Sequence, residues 1–358
     1  MHKILLTGAG SGGGENLIRS LRAGSLELEI YGSNMDEHVL ARSAADRAVF
    51  LPSARDEEYT GVLRRVVERE GIELVIPNND TEVGRLSRDR DRIPCAVFLP
   101  AGDTVTVCQD KLQMHRIFED AGIAQAVYRG LESFEDIEAF MDDCPCEKYW
   151  VRPRRGSGSM GATWIEKPHQ ARAWISLWME LRGLKLTDFI ISEFLPGRDY
   201  AFQSVWKDGR PVVAKLVERL VYFLGRNRLS NMSSTPAVAR TLRDDKALET
   251  IFKAIHAVAE SPHGNFCLDL KGRSDGTMCI TEFNIGRFCM ITPIFDLTGK
   301  YNTAEMHVRA ALDLEIDVED PIDIEENCYL LRDLDTMPTI LREAEFNRII
   351  EGAKALSE

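Results

Sequence analysis

Phe266-Cys267-Leu268-Asp269-Leu270 and Thr277-Met278-Cys279-Ile280-Thr281-Glu282-Phe283-Asn284 read as two strands, and Ser274-Asp275-Gly276 between them carries the Asp-Gly signal of a two-residue hairpin. Centring the turn on Asp275-Gly276 pairs Ser274 with Thr277 and sets Asp269 opposite Glu282. Directly opposed residues point to one face with Cβ atoms ~5 Å apart. Asn284, two positions beyond Glu282, shares that face. Opposed carboxylates repel, which costs stability in a bare sheet; a divalent cation between them reverses the sign. Asp, Glu and Asn oxygens are hard ligands, suited to Mg2+ or Mn2+ held together with substrate phosphates. The hairpin therefore predicts a metal site at Asp269, Glu282 and Asn284. A solvated sheet face with the register off by one residue is the alternative it leaves open.

Upstream of the hairpin, 245–259 places Leu248, Ile251, Phe252 and Ile255 on one helical face, and strands are expected at 189–194, 200–205 and 212–217. Tyr149 opens a strand, a glycine loop, a second strand and a helix bearing Trp174, Ile175, Trp178 and Leu181, whose tryptophans read as core. Asp110 starts a helix with Met114, Ile117, Phe118 and Ala121 in one stripe, and Gly122 stops it. Nearer the N-terminus, short apolar strands at 3–7, 28–31, 48–51, 74–76 and 96–99 alternate with helical stretches, notably 15–21 and 58–70. That alternation predicts right-handed crossovers and a largely parallel sheet, an α/β unit ending near residue 108. No period of 20–50 residues repeats. The last 40 or so residues are acidic, then helical, and carry no motif.

At 358 residues the chain predicts two or three packed units. Its 44% apolar and 28% charged residues are a globular composition. The net charge of -13 argues against a general polyanion binder, and so against nucleic acid as a partner. No apolar run approaches the ~20 residues of a membrane span. Met1–Thr7 runs into a strand and glycines rather than a signal peptide. Eight scattered cysteines have neither zinc-site spacing nor a disulfide framework, so a reducing cytoplasm is expected and each thiol reads as a small buried hydrophobe.

Two glycine loops are candidates for anions. Gly8-Ala9-Gly10-Ser11-Gly12-Gly13 matches G-x-G-x-x-G between a strand and a helix. Asp36, however, lies 28 positions after Gly8, where about 20 is usual in dinucleotide binders, and a tight strand–helix turn is the equal alternative. Arg152-Pro153-Arg154-Arg155-Gly156-Ser157-Gly158-Ser159-Met160-Gly161 combines flexible backbone donors with three guanidinium groups, the equipment for gripping a polyphosphate. A surface hairpin with solvated arginines is its alternative.

In this order the pieces resemble the ATP-grasp superfamily over roughly residues 1–312, above all the synthetase halves of the carbamoyl-phosphate synthetase large chain. The resemblance implies a Rossmann-like pre-ATP-grasp domain (1–108), a small lid lobe (109–195), a large lobe with the metal site (196–312) and a C-terminal extension (313–358). The opening strand with its glycine turn, and Ile76-Pro77-Asn78-Asn79-Asp80-Thr81-Glu82, are similar to the first of these. Asp110-Lys111 looks like the Asp-Lys that begins the ATP-grasp fold, which makes Lys111 a phosphate contact. Arg152 stands at the second phosphate-binding cation, and Gly156, Ser157, Gly158, Ser159 and Gly161 match the mobile lid loop. Ile191 to Tyr200 resembles the inter-lobe hinge, so that Glu193 and the Leu195 backbone would meet adenine and Asp199 the ribose, where Glu is usual. Asp269, Glu282 and Asn284 match the metal positions, reached independently by the hairpin count. The family often reads Glu-x-Asn-Pro-Arg; here Glu282-Phe283-Asn284-Ile285-Gly286-Arg287 lacks the proline and brings the Arg one residue late. Arg287 and Arg219 are the candidates for steadying the transferred phosphoryl group or a substrate carboxylate.

Such ligases phosphorylate a carboxylate with ATP and let an amine attack the acyl phosphate, releasing ADP and phosphate. The resemblance thus implies a stand-alone carboxylate–amine ligase using ATP and two Mg2+ or Mn2+ ions, with small-molecule substrates and a homodimeric assembly. The rival reading from the first glycine loop is an NAD(P)-dependent oxidoreductase or epimerase, yet none of the eight tyrosines has Lys four residues later. A non-catalytic nucleotide binder is the third reading. The stretch 220–237, with Arg226, Asn227, Arg228, Asn231 and Ser233, is a candidate acceptor-side loop.

Overall fold

Three sheets follow one another along the chain. The structure, a computed structural model, describes residues 1–227, 230, 233, 235–333 and 343–357. Strands β1 (His2–Thr7), β2 (Leu28–Asn34), β3 (Arg47–Phe50) and β4 (Leu74–Ile76) form a parallel sheet in the order β3-β2-β1-β4. Alternation along β1 sends Ile4 and Leu6 to one face, against Leu17, Ile18 and Leu21 of helix Gly12–Arg22. Leu5 goes to the other, against Leu63, Val66 and Val67 of helix Tyr59–Glu70. Burial on both faces is what a parallel sheet with crossover helices requires. The expected strand at 96–99 is reduced to one isolated bridge, Leu74 to Ala96. Pro94 and Pro100 flank the segment and have no N–H with which to extend a ladder.

The second sheet contains β5 (Tyr128–Gly130), β6 (Tyr149–Pro153), β7 (Thr163–Ile165) and β8 (Phe189–Glu193), antiparallel in the order β5-β8-β6-β7. Helices Glu135–Asp143 and Pro168–Arg182 cover one face, with Ile137, Phe140, Ala171 and Ile175 packed on Val151, Phe189 and Ile191. Trp174 and Trp178 lie half-buried at the margin of this core.

The third sheet is the largest. Strands β9 (Asp199–Lys207), β10 (Arg210–Tyr222), β11 (Pro236–Thr241), β12 (Gly264–Gly272), β13 (Met278–Ile285) and β14 (Tyr329–Leu331) run in the order β13-β12-β9-β10-β11-β14. The helix Asp245–Val258 lays Leu248, Ile251 and Ile255 on Phe202, Leu216 and Phe266. The end of the chain rejoins the body: β14 pairs with β11, and Arg69 in the first unit donates Nη1 to Ala355 O, 2.8 Å, at the close of helix Glu343–Ala355.

The β12–β13 hairpin departs from the two-residue turn. Arg273 N donates to Thr277 O, leaving a three-residue loop with Gly276 at φ 87°. Near the turn the register is therefore one off the simple count, Gly272 with Met278 and Leu270 with Ile280. A bulge at Thr281 then restores it, and Asp269 faces Glu282 as counted.

Candidate nucleotide and metal site

A cleft of about 330 Å³ lies between the second and third sheets, and 14 of the 15 residues singled out from sequence line it. Gly161 is the exception. Its φ of 71° and the 2.8 Å that would separate an added Cβ from Pro153 make it the anchor of the loop, while its carbonyl accepts from Trp174 Nε1 at 2.9 Å.

Strands β12 and β13 bring Asp269, Glu282 and Asn284 to one face, and the cations converge on them from other elements. Arg219, on β10, pairs with Asp269 and stands 3.3 Å from Asp199. Lys111 Nζ and Arg152 Nη1 each lie 3.6 Å from Glu282 Oε2. Arg287 donates to Asn284 Oδ1 and, at 2.5 Å, to Asp80 Oδ1. The repulsion expected of a bare carboxylate pair is thus absorbed by cations on both members. Burial pushes the Arg152 guanidinium below its ordinary pKa despite Glu282 and Asp269. For Arg219 burial acts the same way, but Asp269, with Tyr222 and Asp199, more than reverses it. Among the described residues no group of three or more His, Cys, Asp or Glu gathers as a metal cage. Two carboxylates and an amide oxygen suit Mg2+, which keeps waters and takes phosphate oxygens for the rest of its shell.

The second glycine loop owes its shape to four positive φ angles, at Gly156, Gly158, Ser159 and Gly161. Lys111 Nζ donates to Gly156 O at 2.9 Å, so Lys111 touches both the loop and the acidic face. The three arginines before the loop part company. Only Arg152 points at the acidic face, through Glu282 and a 2.7 Å bond from Nη2 to Thr281 O. Arg154 and Arg155 hold Asp110, at 2.8 and 3.1 Å, and Asp110 in turn caps the helix Lys111–Asp120. Two of the guanidinium groups assigned to a polyphosphate therefore fix the start of the Lys111 helix, because a buried carboxylate demands partners.

At the hinge, Glu193 Oε1 accepts from Val127 N at 2.8 Å and from Arg273 Nη2 at 2.6 Å. Leu195 joins Ala126 and Cys279 in a small apolar cluster, and Leu195 and Ala126 line the cleft. Asp199 is held by Tyr222 Oη at 2.7 Å, by Arg219 and by Lys271 at 3.6 Å. Ser233, from the candidate acceptor loop, also lines the cleft; Arg228 and Asn231 lie outside the described residues.

The first glycine loop is engaged by the protein itself at Gly10. Gly10 N donates to Glu15 Oε1 at 2.8 Å, and Arg42 Nε donates to Gly10 O at 2.6 Å. A Cβ on Gly10 would fall 1.8 Å from Val39 O, so the chain after β2 is packed onto the turn. Asp36 is an N-cap, accepting from His38 N and Val39 N. The cysteines also depart from expectation: Cys146 is exposed, and Cys95, Cys144 and Cys328 are half-buried, leaving four buried.

No protein-family model matches the chain. Over 202 residues it is 27% identical to formate-dependent phosphoribosylglycinamide formyltransferase from Methanococcus maripaludis, covering 54% of this chain and 48% of that protein. It spans about half the length of the curated relatives it matches. Among solved structures it is similar to L-amino acid ligase from Bacillus licheniformis, with a TM-score of 0.67 at 14% identity, covering 87% of this chain and 74% of that one. Biotin carboxylase from Campylobacter jejuni gives a TM-score of 0.69 at 13% identity over 91% and 74% of the two chains. N5-carboxyaminoimidazole synthetase from Staphylococcus aureus gives 0.65 at 14% identity over 91% and 80%. The chain has the ATP-grasp fold.

The ATP-grasp cleft also contains residues to which sequence reading assigned no role at the site. Asn78 and Asn79 line it from the C-terminal end of β4. His115 lines it one helical turn beyond Lys111, and that i, i+4 spacing was the available signal. Arg273 braces Glu193 from the hairpin turn; nothing local in the sequence pointed to a partner 80 positions away.

Proposed function

We propose that the chain is an ATP-dependent ligase that phosphorylates a small carboxylate and passes the acyl group to an amine, releasing ADP and phosphate. The observation that carries this reading is the opposition of Asp269 and Glu282, with Lys111, Arg152, Arg219 and the glycine loop gathered on the same cleft. The fold is shared with structures described as holding ATP or ADP, and the curated relatives are named as formate-dependent enzymes. A carboxylate as small as formate and an amine acceptor are the substrates that follow from these likenesses.

Bound Mg2+ would supply charge neutralisation at the phosphate oxygens during phosphoryl transfer. Asp269, Glu282 and Asn284 would hold it, as two ions. The remaining work falls to the protein. Lys111 and Arg152 bind the triphosphate. Arg219 and Arg287 stabilise the transferred group and the substrate carboxylate. Donors fixed in advance in a cleft sheltered from water supply most of the stabilisation such a transfer needs. The loop at 156–161 closes over the phosphates and excludes water, which would hydrolyse an acyl phosphate. Glu193 and Leu195 receive the base, and Asp199 the ribose.

The four segments divide accordingly: 1–108 is the Rossmann-like pre-ATP-grasp domain, 109–195 the lid lobe, 196–312 the large lobe with the metal face and the candidate acceptor loop at 220–237, and 313–358 an extension. Among the described residues no helix is long and apolar enough to cross a membrane; a cytoplasmic homodimer completes the proposal. Phosphate release should be screened with Mg2+-ATP against a matrix of small carboxylates, formate and bicarbonate included, and amines. Nucleotides are then separated by chromatography. ADP is expected, and AMP as the main product would sink the acyl-phosphate route.

A further inference from the structure

Cys144-Pro145-Cys146 leads from helix Glu135–Asp143 into β6 of the second sheet and brings two thiols together, with their Sγ atoms 3.8 Å apart. Both ends of this turn are pinned through the backbone. Cys144 N donates to Phe140 O at 2.9 Å, closing the helix, and Cys146 N donates to Tyr149 Oη at 2.9 Å. Tyr149 is buried and donates in turn to Met141 O at 3.3 Å. Between the two anchors Pro145 has its φ locked by its ring, so little freedom is left to separate the thiols. Among the described residues no third His, Cys, Asp or Glu joins them as a metal cage.

The two thiols differ in the way a redox pair requires. Cys146 is exposed and Cys144 is half-buried. Burial, then the hydrogen bond with Cys146, pushes the Cys144 thiol up to about 11, so Cys144 keeps its proton at neutral pH and donates it to the Cys146 sulfur. Cys146 is therefore the sulfur open to a reagent in water, and Cys144 is the thiol in contact behind it. The other six cysteines lack this combination. Cys108, Cys267, Cys279 and Cys289 are buried, and Cys95 and Cys328 are half-buried. Cys267 and Cys289 also meet, but both are buried. Burial pushes the Cys95 thiol up to about 12.

We propose that Cys144 and Cys146 are a modification site for hydroperoxides, closing to an intramolecular disulfide and reopening with thiol reductants. The Cys146 thiolate attacks a peroxide oxygen, the O–O bond breaks, and Cys146 becomes a sulfenic acid as water or an alcohol leaves. The Cys144 sulfur then attacks the Cys146 sulfur. The S–O bond breaks, and the hydroxyl departs as water with the proton that Cys144 gives up. Two thiols and hydrogen peroxide thus yield one disulfide and two waters, and two electrons pass from sulfur to oxygen. Closure brings the sulfurs from 3.8 Å to ~2.05 Å. Residues two apart in sequence have Cα atoms no more than ~7 Å apart, which reaches into the range that disulfides span.

The test treats the full chain with hydrogen peroxide, alkylates the remaining thiols and weighs the tryptic peptides. Cleavage after Arg129 and Lys148 releases 130–148, which holds Cys144 and Cys146 and no other cysteine. This peptide is expected unalkylated and lighter than its reduced form by two hydrogen atoms, and dithiothreitol should restore both thiols to alkylation. The peptides with the buried cysteines should remain alkylated. Cys144→Ser should stop at a Cys146 sulfenic acid that dimedone captures. Cys146→Ser should slow oxidation of Cys144 by about tenfold or more, since the exposed attacking sulfur is gone. Sulfinic or sulfonic acid at Cys146 without a bridge in the wild type overturns the inference, and so does a disulfide between two chains. A peptide 130–148 that stays fully alkylated, or equal oxidation of all eight cysteines, overturns it as well. Undiminished oxidation of Cys144 in Cys146→Ser overturns the assigned order of attack. The wild-type peptide decides whether the bridge forms, so that result stands even if neither variant folds.

Discussion

Arg287 donates to Asp80 at 2.5 Å, tying the chain just beyond β13 to the helix that begins after β4. The bond joins the acidic face of the third sheet to the first unit, 207 positions away. Burial raises the Asp80 carboxyl, but Arg287, together with Lys111 and Ser157, more than reverses this and holds it below the ordinary carboxylate range. A depressed folded pKa stabilises above the unfolded value and is lost as pH falls through the folded one. Asp80→Asn should therefore cost about 2 kcal/mol at pH 7. The difference from wild type should shrink as pH drops below ~4. Urea denaturation across pH checks it; a constant difference at all pH values would remove the ionic origin.

Glu282→Gln should abolish the thermal shift that Mg2+-ATP produces and, with it, turnover. In a bare hairpin the change would relieve repulsion from Asp269. Here Glu282 has Lys111 and Arg152 at 3.6 Å, so its loss should lower the ligand-free stability slightly, by about 1 kcal/mol. Melting with and without Mg2+-ATP separates the cases. A retained ligand shift would show that Glu282 holds no metal.

Burial raises the Glu82 carboxyl from 4.5 to about 7, against the pull of its bond from Thr7. The folded state keeps the proton longer than the unfolded one, so this contribution is complete below pH ~4.5 and is lost as pH rises through about 7. Glu82→Gln should match wild type near pH 4.5 and exceed it by about 1–3 kcal/mol at pH 8. Chemical denaturation at the two pH values measures this, and an unchanged difference would show an ordinary carboxylate.

Neither NADH nor NADPH should bind at micromolar concentration. The turn that matches the dinucleotide pattern has Val39 O against Gly10 and Glu15 on its amide. Titration followed by nicotinamide fluorescence is the measurement; saturable micromolar binding would restore the oxidoreductase reading.

Much of this was legible along the chain. Helices at 12–22, 59–70, 111–120 and 245–258 follow from apolar periodicity, and the parallel first sheet from the alternation of strands with helices. The opposition of Asp269 and Glu282 was counted correctly through a turn that is one residue longer than assumed, because the bulge at Thr281 cancels the slip. Asp-Gly named the hairpin; the bulge is seen only in the pairing of β12 with β13.

By itself the sequence determined the elements whose signals lie among near neighbours: glycines that permit positive φ, caps such as Asp110, and stripes that recur every three or four residues. Which arginine meets which acid was decided by the tertiary structure. Arg152, Arg154 and Arg155 are close in sequence and chemically alike, yet one faces Glu282 and two hold Asp110. Asp269, which pairs with Arg219, and Asp80, which pairs with Arg287, lie 50 and 207 positions away. An ion pair has no sequence periodicity, since its geometry exists only after the sheets have packed and water has been excluded from between them.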